Sequence, residues 1–277
     1  MNGPDAGSTP MPGGSDRRPA DQVDRVALFV TCVGELVDPD VPVATVRVLR
    51  AAGCSVEVPE GQTCCGQPAW NSGFTADAAR VAATTLDALE GALADGADAV
   101  VVPAGSCATM VRVYWPQLFS LAGDQAASDR ARALGQQVWE LTELLDALPD
   151  HRLELGAVEP CRIAYHRSCH MLRELHVADQ PESLLSRVEG CEQLPWTASE
   201  ECCGFGGTFS VKLPEASVAM ADEKLDVLPE GTEVIVGADA SCLMQLRARA
   251  EARGLAVTTR HVAQVLEQAV VVGGGAR

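Results

Sequence analysis

At 277 residues and 47% hydrophobic content the chain is long enough for two ordinary domains, so it is no small scaffold in need of staples. Its 38 acidic residues outnumber 21 basic ones, and the formal net charge of -17 argues against nucleic acid and acidic membrane surfaces as partners. Aromatic side chains make up 4%, which also argues against base-stacking platforms.

Taken in chain order, residues 1–22 are rich in Gly, Pro, Ser and Asp, contain no apolar run that would serve as a signal-peptide core, and are expected to form a disordered tail. No stretch reaches the roughly 18 consecutive apolar residues of a membrane span, and a cytoplasmic location is expected. An apolar run from Val26 to Val30 then leads into Thr31-Cys32, and a helical pattern from Pro42 to Ala52 ends at Gly53. A short strand at Ser55 to Val58 delivers Cys64-Cys65-Gly66. The helix Ala76 to Leu93 stops before Asp95-Gly96, and the run Ala99 to Val102 leads to Gly105-Ser106-Cys107. Tyr114 to Asp129 reads as an insertion, after which Val138 to Leu141 and the amphipathic Thr142 to Leu148 close the first half.

The same grammar then starts again. Ile163 to His166 leads to Cys169, a helix is expected at Pro181 to Val188, and a strand near Gln193 to Pro195 precedes Cys202-Cys203-Gly204. A helix at Pro214 to Leu225 and the strand Val234 to Val236 lead to Ser241-Cys242, and Val257 to Arg260 is followed by a helix from His261 to Ala269. Strand alternating with helix predicts an α/β fold of two pseudo-symmetric repeats, each a parallel sheet with crossover helices. Every cysteine set falls just after a strand, at the carboxyl edge where open parallel sheets place their ligands.

Eleven cysteines in a chain with no export signal point to metal binding or redox chemistry rather than disulfides. Eight of them form two matching sets: Cys32, Cys64, Cys65 and Cys107, then Cys169, Cys202, Cys203 and Cys242. Cys54, Cys161 and Cys191 stand outside the sets and are expected in the core. Adjacent cysteines are poorly placed to bond to each other across a planar trans peptide, but both can face one inorganic core. The glycine after each pair allows a sharp turn without a Cβ clash. The glycines of Cys203-Gly204-Phe205-Gly206-Gly207 add backbone donors for cluster sulfides. An iron-sulfur cluster is the favoured occupant. Structural zinc and dithiol chemistry remain as alternatives, although no Cys-x2-Cys occurs anywhere in the chain.

The strings Cys64-Cys65-Gly66-Gln67-Pro68-Ala69-Trp70-Asn71-Ser72-Gly73 and Cys202-Cys203-Gly204-Phe205-Gly206-Gly207-Thr208-Phe209-Ser210-Val211-Lys212 resemble the signatures of the LutA/YkgE family, and Tyr165-His166-Arg167-Ser168-Cys169-His170 is similar to the opening of that family's second repeat. The resemblance spans the chain beyond the tail. It implies two cysteine-rich CCG domains, 23–155 and 156–277, with the eight set cysteines as ligands. It also implies an oxidoreductase subunit that relays electrons while a complex oxidises L-lactate to pyruvate. The implied partners are a ferredoxin-like iron-sulfur subunit and a third subunit. A heterodisulfide-type reductase and a metal-stabilised scaffold are the competing readings.

In the heterodisulfide reductases of the wider group, each full motif ends in Cys-x2-Cys and binds a non-cubane cluster through five cysteines. Here Ala104 and Asp239 stand where the extra cysteine would fall, so each half offers four thiolates, enough for a cubane [4Fe-4S] cluster. Asp239 suits either an oxygen ligand or a helix N-cap. Three of the five histidines, His166, His170 and His176, lie in the opening of the second repeat, and His170 is the candidate catalytic residue, as a proton carrier or a donor to cluster sulfur. Arg173 and Lys212 are the nearest candidate cations for a carboxylate or for cluster charge. With no Gly-x-Gly-x-x-Gly after a strand and no Walker motif, neither flavin nor nicotinamide is expected on this chain.

Overall fold

The computed structural model describes residues 17–271. The first half runs β1 (Arg25–Leu28), α1 (Cys32–Val37), α2 (Asp40–Ala51), β2 (Ser55–Glu57), α3 (Gln67–Trp70), α4 (Thr75–Ala94), β3 (Ala99–Val102) and α5 (Gly105–Thr109). A π-helical turn (Met110–Tyr114) follows, then α6 (Trp115–Leu121), α7 (Gln125–Gly135), β4 (Val138–Glu140) and α8 (Leu141–Ala147). The second half runs β5 (Ala157–His166), α9 (Cys169–Arg173), α10 (Gln180–Ser186), β6 (Glu189–Gln193), α11 (Phe209–Lys212), α12 (Pro214–Asp226), β7 (Val234–Gly237), α13 (Ala240–Ala252), β8 (Thr258–His261) and α14 (Val262–Ala269).

Each half builds one four-stranded, wholly parallel sheet, in the orders β2-β1-β3-β4 and β6-β5-β7-β8. The expected α/β class and the repeat therefore hold. The central strands β3 and β7 are unbroken apolar runs buried at every position, as strands covered by helices on both faces require. Helix α4 buries Ala78, Ala82, Leu86 and Leu89, a stripe at helical spacing, and ends at Gly96, whose φ of 102° reverses the chain.

Two strands depart from expectation. β5 begins at Ala157 rather than Ile163, and β6 occupies Glu189–Gln193, upstream of the expected Gln193 to Pro195. Both are pieces of a polar sheet edge, where backbone pairing across a register irregularity holds residues with no apolar alternation. The insertion of the first half, Tyr114 to Asp129, contributes α6 and the start of α7, where α13 in the second half runs straight on toward β8. Of the expected tail, residues 1–16 lie outside the described residues. Ala20–Gln22 form a single 3-10 turn, and Arg17 reaches back to pair with Glu143 at 2.7 Å over the face of Trp139.

The halves pack reciprocally. Helix α1 of the first half touches α13 of the second, and α9 of the second touches α5 of the first; α2 packs on α14, and α10 on α8. This is the pattern of a pseudo-two-fold axis, with like surfaces exchanging roles. The main apolar core runs through both halves without a break, while a smaller cluster around Trp196, Ile235 and Leu246 lies in the second half. Among the described residues no helix is long and apolar enough to cross a membrane.

Candidate metal centre

Three loops from the carboxyl edge of each sheet carry the cysteines. Cys32 and Cys169 open α1 and α9, the Cys-Cys-Gly tripeptides fill the loops after β2 and β6, and Cys107 and Cys242 sit in the first turns of α5 and α13. All eight line one cavity of about 170 Å³ between the halves, together with His170, Asp239 and the glycine-rich loop. Gly66 and Gly204 share a φ of 83°, and a Cβ at either would lie 2.8 Å from the Ala78 carbonyl or 2.4 Å from that of Ser217. Only glycine lets each pair approach its helix this closely.

In the first set Cys32 Sγ lies 3.5 Å from Cys64 Sγ, and Cys65 Sγ 3.4 Å from Cys107 Sγ. The Gly66 N–H donates to Cys64 Sγ at 3.4 Å. Hydrogen bonds from the Cys32 and Cys65 thiols hold Cys64 down to about 3, whereas the bond to Cys64 and burial push Cys32 up. A cation bound by these sulfurs displaces the protons of their thiols. Trp115 Nε1, delivered by the insertion, donates to the Cys65 carbonyl at 2.8 Å, and Thr85 Oγ1 donates to that of Cys64 at 3.4 Å.

The second set repeats this arrangement in altered surroundings. Cys202 accepts from the Gly204 N–H at 3.4 Å and is pushed down, chiefly by Cys169. Cys169 Sγ lies 3.7 Å from His170 Nδ1. Asp239 is a helix N-cap: Oδ1 accepts from Ser241 N at 3.2 Å and Ser241 Oγ at 2.6 Å, while Oδ2 accepts from Ser106 N of the other half at 2.9 Å. Both its oxygens are engaged, so of the two expected roles the cap is the one seen.

His166 is 1% exposed, and neither of its ring nitrogens has a hydrogen-bond partner. Its ligating atoms and those of Cys203 and Cys242 lie within 4.8 Å of one another. Burial, then the nearby Lys224 charge, pushes the imidazole down to about 3. His176 and the candidate cations Arg173 and Lys212 are exposed and do not line the cavity; Lys212 sits 5.7 Å over the Phe74 ring.

Lys224 was not anticipated from the sequence. It is 1% exposed, donates to the carbonyls of Ala198, Ser199 (3.1 Å) and Glu201 (3.0 Å), and covers the Trp196 ring at 4.1 Å. Burial pushes it down to about 8, against the pull of Cys203 and Cys242. Its position on the buried stripe Ser217, Ala221, Lys224, Leu225 was the available signal. Of the cysteines outside the sets, Cys54 is buried as expected, whereas Cys161 and Cys191 are half-buried neighbours in register on β5 and β6. Both pack against the margin of the main core, where the edge strand β6 pairs with β5.

Two parallel-sheet repeats, each presenting a Cys-Cys-Gly loop to a shared cavity, define a protein of tandem cysteine-rich domains. The sequence model of the CCG cysteine-rich domain matches twice, at residues 26–112 and 163–247. The chain is 43% identical to a lactate utilization protein A of Exiguobacterium sp., over 88% of this chain and 98% of that protein. It is likewise 43% identical to the protein of that name from Shouchella clausii and 40% identical to that from Bacillus subtilis, each over 87% of this chain and 98% of the relative. The chain belongs to the lactate utilization protein A family of CCG-domain proteins.

Proposed function

We propose that the chain is the iron-sulfur subunit of a cytoplasmic complex that oxidises L-lactate to pyruvate, relaying electrons through clusters held by Cys32, Cys64, Cys65 and Cys107 and by Cys169, Cys202, Cys203 and Cys242. The observation that carries this reading is the convergence of all eight cysteines on one cavity, with sulfurs paired at 3.5 and 3.4 Å in the first set. Four cysteines in each set match the ligand count of a cubane [4Fe-4S] core. The names of the relatives supply the substrate.

Oxidation of a 2-hydroxy acid to a 2-oxo acid releases two electrons and two protons, and a bound cluster supplies one-electron acceptance. The chain's own residues set the conditions. The N–H groups of Gly66 and Gly204 donate to Cys64 and Cys202, stabilising negative charge on sulfur. His170, beside Cys169 at the cavity wall, is placed to hold or move a proton. A ferredoxin-like iron-sulfur subunit and a third subunit are the partners of this reading.

The test is iron, acid-labile sulfide and zinc content after purification or reconstitution without oxygen, with EPR spectra of oxidised and reduced protein. About four irons and four sulfides per filled half are expected, with a signal that responds to reduction. Loss of lactate-dependent growth is expected for a Cys202→Ala or Cys203→Ala strain. Stoichiometric zinc, or no metal under conditions that load a control protein, would overturn the relay.

A further inference from the structure

His166 stands three residues before Cys169, where the first half has Phe29 three residues before Cys32. Both side chains are fully buried, but Phe29 belongs to the apolar core and offers no polar atom. A buried imidazole ordinarily spends at least one nitrogen on a hydrogen bond, because leaving polar atoms dry and unpaired costs free energy. His166 spends neither. The Ser199 carbonyl near the ring already accepts from Arg167 N at 3.0 Å and Lys224 Nζ at 3.1 Å, and the nearby carboxylate of Asp239 is already taken by Ser241 and Ser106. What the ring does face is sulfur: its nitrogen and the sulfurs of Cys203 and Cys242, all three residues buried, fall within 4.8 Å of one another.

Imidazole and thiolate together are a donor set for iron or zinc. The geometry points to His166 as a metal ligand: a ring nitrogen binds at the second centre beside Cys203 and Cys242, so the chain carries two unlike centres, all sulfur in the first half and mixed nitrogen and sulfur in the second. This rests on the reading that the second set holds a metal. Bound there, the imidazole takes the position of one of the four thiolates of the second set, and nitrogen in place of sulfur raises the potential of an iron-sulfur centre, which makes the second half the more easily reduced of the two.

The full chain, loaded with ferrous iron and sulfide without oxygen, is reduced and examined by pulsed EPR, once unlabelled and once with 15N-histidine. Expected is a strong 14N coupling that becomes a 15N coupling in the labelled protein, persists in His170→Ala and disappears in His166→Cys while iron content is retained. The labelling comparison on the wild-type and His170→Ala proteins stands even if the His166 variant fails to fold. A protein that holds iron and sulfide but shows no histidine coupling, or keeps it in His166→Cys, overturns the inference and leaves the relay intact. Zinc without iron overturns the relay. His166 is then judged by zinc-edge X-ray absorption, where nitrogen beside sulfur supports the assignment and sulfur alone refutes it. Absence of any metal overturns both.

Discussion

The two cysteine sets share a backbone frame and differ in what surrounds it. The first has Phe29, Ala104 and Thr85 at positions where the second has His166, Asp239 and Lys224. Thr85 and Lys224 lie seven residues beyond Ala78 and Ser217, whose carbonyls abut the two tripeptide glycines, and both are buried under the cysteine loops. A hydroxyl bonded to one carbonyl in the first half is replaced by a cation bonded to three in the second. The two halves share the frame that aims the thiols and differ in the residues behind them.

The largest effect is expected where the frame itself is broken. Gly204→Ala drives a Cβ into the Ser217 carbonyl and should cost about 4 kcal/mol, and Gly66→Ala, with its slightly wider gap, about 3 kcal/mol. Denaturant titration with iron analysis reads both; each variant should empty its own half, and loss from the opposite half would show that the frames are not separable. Next, Lys224→Met removes charge-assisted bonds to three carbonyls and should cost about 3 kcal/mol, against about 1 kcal/mol for Thr85→Val. Redox titration sharpens the contrast. Only the Lys224 variant should lower a midpoint potential, because only it removes a positive charge.

The smallest effect concerns the N-caps Glu140 of α8 and His261 of α14, equivalent positions filled by an acid and a base. Burial raises Glu140 to about 7 and lowers His261 to about 4. Between about pH 4.5 and 7 the native state binds more protons than the unfolded chain at Glu140, so acidification stabilises through this residue. Between about pH 6.5 and 4 the unfolded chain binds more at His261, so acidification destabilises through that one. Each is worth about 2 kcal/mol between pH 7 and 5, with opposite sign. Glu140→Gln should therefore lose stability on acidification and His261→Asn gain it, both relative to a flatter wild type, as chemical denaturation at several pH values would show. Parallel profiles in all three proteins would refute the compensation.

The central strands were legible because Ala99 to Val102 and Val234 to Val236 are short apolar runs, and the cysteine spacing revealed the repeat directly. Edge strand β6 was misplaced because Glu189–Gln193 has no side-chain pattern to mark it; its pairing with β5 is a backbone matter. The eight cysteines were found by type and spacing, but the partners that distinguish the sites were not. Ala198 precedes Lys224 by 26 residues, and Cys242 follows His166 by 76, distances over which no local periodicity speaks. Nor does any pattern within one half announce which of its surfaces meets the other.

That meeting has a consequence for the order of assembly. Helix α5, which carries Cys107, leans on α9 and receives the Asp239 cap at Ser106, while α1, which begins with Cys32, leans on α13. The whole N-terminal half is synthesised before any of these supports, since α9, Asp239 and α13 all follow it in the chain. The cavity that its four cysteines line lacks a wall until the second half has been made, and the first repeat holds those thiols without that cover until then.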